Sequence, residues 1–210
     1  MKIANFQNLI KELPYRQQAF DIKRSVWQVP ENQELVDRIF DQSEQGAEVV
    51  RLNRFDVMNS PTTEELIVKT LMWGYPKKGR GKNIDNLLRK DNFNKLVKVL
   101  EGYQGNEITL SQLTEDMKNI EGLGLSTMTK FTYFLHSYLN GHLAVILDLQ
   151  IIGVINSGRF EELNALNGIR YDNGIKKYAD YLYVIDKLGK EMEVESDQLE
   201  YFLFTFGNQL

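Results

Sequence analysis

Apolar residues recur along this chain mostly at spacings of three and four, the period of helices with one face turned inward. The clearest case follows Ser60-Pro61. Ser60 offers a cap, Pro61 a first-turn proline and TTEELIVKTLMW two early acids before an apolar run, predicting a helix that ends near Gly74-Tyr75-Pro76. Beyond it Ile84, Leu87, Leu88, Phe93, Leu96, Val97 and Leu100 predict two short helices, broken near Asp91-Asn92. Thr109 and Gln112 form a capping box that opens a helix reaching about Ile120. The stretch 126–139 then puts Phe131, Phe134, Leu135 and Tyr138 on one face, with Asn140-Gly141 as its stop. Helices over 149–155, 174–188 and 197–206 complete the set, and the first residues, MKIANFQNLIKEL, are also amphipathic. The stretch 16–30 stays open between helix, short strand and irregular chain. Long alternating patterns, repeats and low-complexity linkers are absent. The expected class is all-α.

Composition narrows the chemistry more than the fold. The 210 residues suit one domain, or two lobes sharing a core, and 42% hydrophobic with 26% charged residues is ordinary for a globular chain. With no cysteine there is no disulfide, thiol nucleophile or thiolate-held metal, and two isolated histidines, His136 and His142, argue against a histidine-rich metal site. The longest apolar run, 143–152, is too short for a bilayer and contains Asp148. A cytoplasmic protein with no membrane partner is expected. Net charge is −4, which argues mildly against a nucleic-acid partner, yet the charge is uneven. Eight basic residues between Lys77 and Lys98 face only Asp85 and Asp91, a local +6, while 191–200 carries five acids and no base. Such asymmetry orients a molecule on a polyanion; it equally describes a solvated helix face beside a loop.

The informative stretch is IEGLGLSTMTKFTYFLHSYLNGHLAVILDLQII, 120–152. One helix runs into Glu121-Gly122-Leu123-Gly124 and another leaves at Ser126. Glycines two apart allow positive φ and close backbone approach, so amides around Gly122, Gly124 and Ser126 can converge on a phosphate oxygen, aided by the new helix's dipole. The same pattern also makes a plain helix cap and tight turn. The helix over 126–139 would climb about 20 Å, and an extended run to Asp148 covers about the same distance back. Asp148 thus returns beside Ser126, at the start of the next helix, where it can cap and serve catalysis at once. Lys130 lies one turn beyond Ser126 on the same face, and Phe131 and Phe134 beside it predict a partly buried amine; a surface lysine is the alternative. The glycine-punctuated loop 74–82, with Lys77, Lys78, Arg80 and Lys82, can track phosphates or lie idle at the surface.

These residues resemble the helix-hairpin-helix DNA glycosylase superfamily, whose pattern is a Leu-Pro-Gly-Val-Gly hairpin, a helix and a catalytic aspartate about twenty residues on. Ile120-Glu121-Gly122-Leu123-Gly124 matches the hairpin, within a motif spanning about 109–139, and Ile146-Leu147-Asp148 matches the approach to the aspartate. Trp73-Gly74-Tyr75 and Leu199-Glu200-Tyr201-Phe202-Leu203-Phe204 are similar to segments of bacterial 8-oxoguanine DNA glycosylase-like proteins. The resemblance implies a two-lobed helical domain over 1–210, duplex DNA with a modified base, such as an oxidised purine, in the cleft, and Asp148 as the catalytic charge. Trp73, Tyr75 and Phe131 become candidates for stacking on an extruded base. No organic cofactor is implied, and an ion at the hairpin stays open. Two departures stand out. Glu121 replaces the usual proline and brings negative charge to the supposed phosphate site. Ser126 occupies the position of the Schiff-base lysine, which implies a hydrolase without lyase activity, unless Lys130 substitutes from the next turn. A non-catalytic DNA-binding module and a helical protein-interaction domain are the rival expectations.

Overall fold

In the computed structural model, which describes residues 1–43, 48–79 and 81–210, the run after Ser60 forms a helix buried on nearly every side. The chain folds as α1 (Gln7–Glu12), β1 (Ala19–Lys23), α2 (Gln33–Asp41), β2 (Val49–Asn53), α3 (Arg54–Met58) and α4 (Thr63–Gly74). Then come α5 (Asn83–Leu87), α6 (Lys90–Glu101), α7 (Leu110–Asn119), α8 (Leu125–Phe134), β3 (Tyr138–Leu139) and β4 (His142–Leu143). The chain closes with α9 (Leu149–Asn156), α10 (Gly174–Met192) and α11 (Ser196–Phe206). The fold is mainly α, and no described helix is long and apolar enough to cross a membrane.

Two helices organise the core. In α4 the residues from Leu66 to Met72 are buried except Lys69, a pattern that requires neighbours all round. Those neighbours are α8, α2, α3, α6 and both strands of the first sheet. Every residue of α8 except Ser126 is buried. The interior apolar side chains, from Ile3 to Leu203, form one connected cluster around this pair.

Local signals placed most helices, with three shifts. Thr62, not Ser60, caps α4, accepting from the Glu65 amide at 3.2 Å. The α5–α6 break falls at Leu88-Arg89 rather than Asp91-Asn92, which leaves Asp91 in the first turn of α6, where the helix dipole favours an acid. The third shift is larger: α8 ends at Phe134, not Leu139. Backbone pairing takes over there, with the Tyr138 amide donating to Asn106 and the Ile108 amide donating to Tyr138. Asn140 and Gly141, at φ +54° and +75°, form the tight turn between antiparallel β3 and β4, not a helix stop. The open stretch 16–30 resolves into β1, paired antiparallel with β2 from Ala19 opposite Asn53 to Lys23 opposite Val49.

A buried charge ties this sheet to the helices. Arg54, the first residue of α3, is fully buried and donates to Gln18 Oε1 at 2.7 Å, the Tyr133 hydroxyl at 3.2 Å and Glu200 Oε2 at 2.7 Å. Burial raises the Glu200 carboxyl above its ordinary range, and Arg54 opposes that rise. Removing one partner strands the other charge in the interior. Arg54→Ala is expected to lose about 3–5 kcal/mol in urea unfolding, whereas replacing Arg54 and Glu200 together by methionine recovers most of that loss.

Candidate active site

Lys130 sits in the middle of buried α8, yet its amine reaches a cleft because α4 ends in glycine. A Cβ on Gly74 would stand 2.8 Å from Lys130 Cδ and 3.0 Å from Cε, so the stem passes where any other residue would block it. Its Nζ donates to Ser126 Oγ at 2.7 Å and to the Ser126 carbonyl at 3.3 Å. It also lies 3.8 Å from Asp148 Oδ2 and 5.4 Å from the centre of the Tyr75 ring. The side chains of Lys130 and Asp148 are only 6% and 15% exposed.

Asp148 is the N-cap of α9, and one of its oxygens is committed to that role. Oδ1 accepts from the amides of Gln150 and Ile151 at 3.0 and 3.1 Å, which leaves Oδ2 turned to the lysine. The strand-like approach to it is pinned twice. Tyr178 and Tyr181 of α10 donate to the carbonyls of Val145 and Ile146 at 2.7 and 2.8 Å. Burial pushes both phenols well up, so they remain neutral donors. Thr129, fully buried on α8, accepts from the Leu147 amide at 3.1 Å and donates to its carbonyl at 3.3 Å. Residues 129 and 147 are thus clamped together, and their neighbours 130 and 148 face each other as a consequence.

The turn between α7 and α8 lies beside this pair. Gly122 has φ +90°, and a Cβ there would come within 2.6 Å of the Asn83 carbonyl. The Tyr171 hydroxyl packs against Gly124 and faces the Ser126 amide. Glu121, in the proline position, is engaged: Asn86 donates to it at 2.9 Å and Arg89 at 2.5 Å. Both partners of that ion pair are about half exposed, so its energy is small, but the acid's charge is offset where the sequence left it free.

Two cavities meet at Lys130 and Asp148. A cleft of about 420 Å³ is lined by Tyr75, Lys78, the turn glycines, Ser126, Gln150 and Tyr171, among others. A second cavity of about 40 Å³ lies against Phe20, Arg54, Trp73, Glu200 and Phe204. Gly74, Lys130 and Asp148 border both.

Most of the sequence-predicted residues converge here, and some do not. Gly122, Gly124, Ser126, Lys130, Asp148 and Tyr75 line the cleft, with the Tyr75 hydroxyl 2.7 Å from Thr127 Oγ1. Trp73 lines the small cavity, its indole N–H donating to the Gln18 carbonyl at 3.0 Å. Phe131 is fully buried and lines neither. Lys78 is tied to Asp85 at 2.8 Å and to the Gln28 carbonyl, while Lys77 and Lys82 are exposed outside the cleft lining. Arg80 lies outside the described residues. Among the described residues no three histidine or acidic side chains are grouped to hold a metal. Sequence reasoning missed Thr129, Tyr171, Gln150, Arg54 and Glu200 as parts of the site. The Thr129–Leu147 and Lys130–Asp148 pairs share one sequence offset, eighteen residues, which is the only trace such a clamp leaves in the sequence.

Gly74→Ala tests how the amine is placed. The added Cβ meets only the flexible lysine stem, which can shift at little cost, so the urea midpoint should hold. A crystal structure of the variant should show Lys130 Nζ displaced from Ser126 Oγ. An unmoved amine would mean that Gly74 does not gate it.

Comparison with known proteins adds one match. Residues 13–204 fit the family described as "Putative 8-oxoguanine DNA glycosylase OGG-like protein". No curated protein and no solved structure matches the chain. With nearly its whole length covered by that family, and a lysine–aspartate pair facing a cleft beside a glycine turn, the chain belongs to the 8-oxoguanine DNA glycosylase OGG-like family.

Proposed function

We propose that this protein is a DNA N-glycosylase that extrudes a modified purine from the duplex and cleaves its glycosidic bond between Lys130 and Asp148. The observation that carries the reading is the position of that pair on the border of two cavities, one wide and one narrow. A sugar on the border would have its base on one side and its phosphates on the other. Turn amides around Gly122 and Gly124, with the positive end of α8, suit a phosphate, which would take the place of the Tyr171 hydroxyl at the Ser126 amide, and the exposed Lys77 and Lys82 lie on the adjoining loop.

The chemistry needs little else. As the C1′–base bond loosens, the sugar gains oxocarbenium character, and the Asp148 carboxylate stabilises that positive charge. After its third proton passes to solvent, the Lys130 amine attacks C1′ and the bond pair leaves with the base, which takes a proton from solvent. Asp148, 3.8 Å from the amine, accepts the proton that the nitrogen sheds. Ring opening, with O4′ taking that proton back from Asp148, then gives an imine, which supports strand cleavage after base release. Lys130 therefore takes the nucleophile's role from one turn beyond the expected position, and Ser126, which holds that position, orients it through the 2.7 Å hydrogen bond.

Single-turnover excision on lesion-containing duplexes tests the reading. Asp148→Asn keeps a side-chain oxygen for the α9 amides and loses the charge, so folding should survive. Excision should fall by about 10²–10³, the usual loss for one electrostatic group. Gly74→Ala should slow excision as well. A native rate in Asp148→Asn would reduce Asp148 to a helix cap.

A further inference from the structure

The small cavity contains a group that the folded protein leaves unused. Glu200 is 0% exposed. Its Oε2 accepts from Arg54 at 2.7 Å, but Oε1, equally buried, has no partner among the described residues. A buried carboxylate oxygen without a donor is costly, and such exceptions in native proteins call for a reason. Arg54 has no freedom to serve both oxygens, because Gln18 and Tyr133 also hold it and its guanidinium stacks within 5.1–5.5 Å of Trp73, Tyr133 and Tyr201. The carboxylate is therefore fixed in place, with one acceptor to spare, in a cavity walled by Phe20, Trp73, Phe204 and Ile146 and bordered by the Lys130–Asp148 pair.

On the glycosylase reading, we propose that Glu200 is the specificity-determining residue of this site: its free Oε1 accepts an N–H from the edge of the extruded base, while Arg54 fixes the carboxylate for that contact. A carboxylate is an acceptor only, unlike an amide. It rewards a base presenting N–H at the ring position it faces, as guanine-type bases do through N1–H; adenine-type bases carry an acceptor at N1 and donate only from the neighbouring exocyclic N6. The cavity's 40 Å³ is too small for a purine, so the pocket opens as the base arrives. Phe20 and Phe204 are the half-buried aromatics in its lining and the side chains placed to give way, Phe20 from its edge-on contact with Trp73. Gln150, two residues past Asp148, donates to the Phe204 carbonyl at 2.7 Å, so the backbone under one of these aromatics is joined to the helix that Asp148 caps.

The test compares two lesions that differ at that edge. Duplexes carrying 8-oxoguanine or 8-oxoadenine, each opposite cytosine, are given to the native protein and to Glu200→Gln under single-turnover conditions. The native protein should excise 8-oxoguanine at least about tenfold faster, the loss expected when a buried acceptor meets no donor. In Glu200→Gln, whose amide also donates, that ratio should collapse toward one, and a ratio within one protein is insensitive to how much of it is folded. If Glu200→Gln does not fold, Glu200→Asp replaces it: the shorter carboxylate keeps the charge for Arg54 but withdraws the free oxygen, so the ratio should fall there as well. Native excision of both lesions within tenfold of each other, or a ratio unchanged in Glu200→Gln, overturns the assignment of Glu200 alone. Absence of excision on either lesion by the native protein overturns instead the glycosylase reading on which it rests.

Discussion

Everything at this site depends on holding an aspartate opposite a lysine without letting the two close on each other. The 3.8 Å between Lys130 Nζ and Asp148 Oδ2 exceeds the 2.7–3.2 Å of an N–H···O hydrogen bond, while Ser126 Oγ sits at 2.7 Å from the same amine. The lysine is thus parked on a neutral hydroxyl, and the carboxylate is parked on two helix amides. Each keeps a face for a third party. Freedom of that kind has to be enforced from behind, since two opposite charges at low exposure attract strongly. The Thr129 clamp on Leu147 and the tyrosines on Val145 and Ile146 provide the restraint, and Gly74 opens the path for the lysine stem.

What the sequence disclosed was local. Capping boxes, apolar spacing and turn glycines are encoded within a few residues, so α4, α7, the glycine turn and the α9 cap at Asp148 were legible from the chain alone. Lys130 was legible too, because its relation to Ser126 is one helical turn. The premature end of α8 was not, since backbone partners at 106–108 override an apolar face that would otherwise extend it. Nor were Arg54 and Glu200, which are 146 residues apart and look like surface residues until the fold buries them together. β1 and β2 alternate apolar with polar over only four residues each, 20–23 and 50–53, too short a run to announce a strand by itself, and their pairing spans the stretch 24–48.

Charge was read correctly in sum and less well in detail. The +6 segment does flank the cleft, but Lys78 is consumed by Asp85 and Arg89 by Glu121. Those pairs are intramolecular at rest and weak where exposed, so they damp the positive field rather than abolish it. The same pairing answers the objection raised by Glu121. An acid in the turn is tolerable because Arg89 and Asn86 take its charge away from the turn amides.

The claim most exposed to test is that the Lys130 amine forms a bond to the sugar. Borohydride added during reaction with a lesion-containing duplex reduces an imine to a stable amine, so a covalent protein–DNA band marks that bond. The account predicts a band with the native protein and none with Lys130→Gln. A band that persists in Lys130→Gln, or no band from native protein that nonetheless leaves alkali-labile sites, would contradict it.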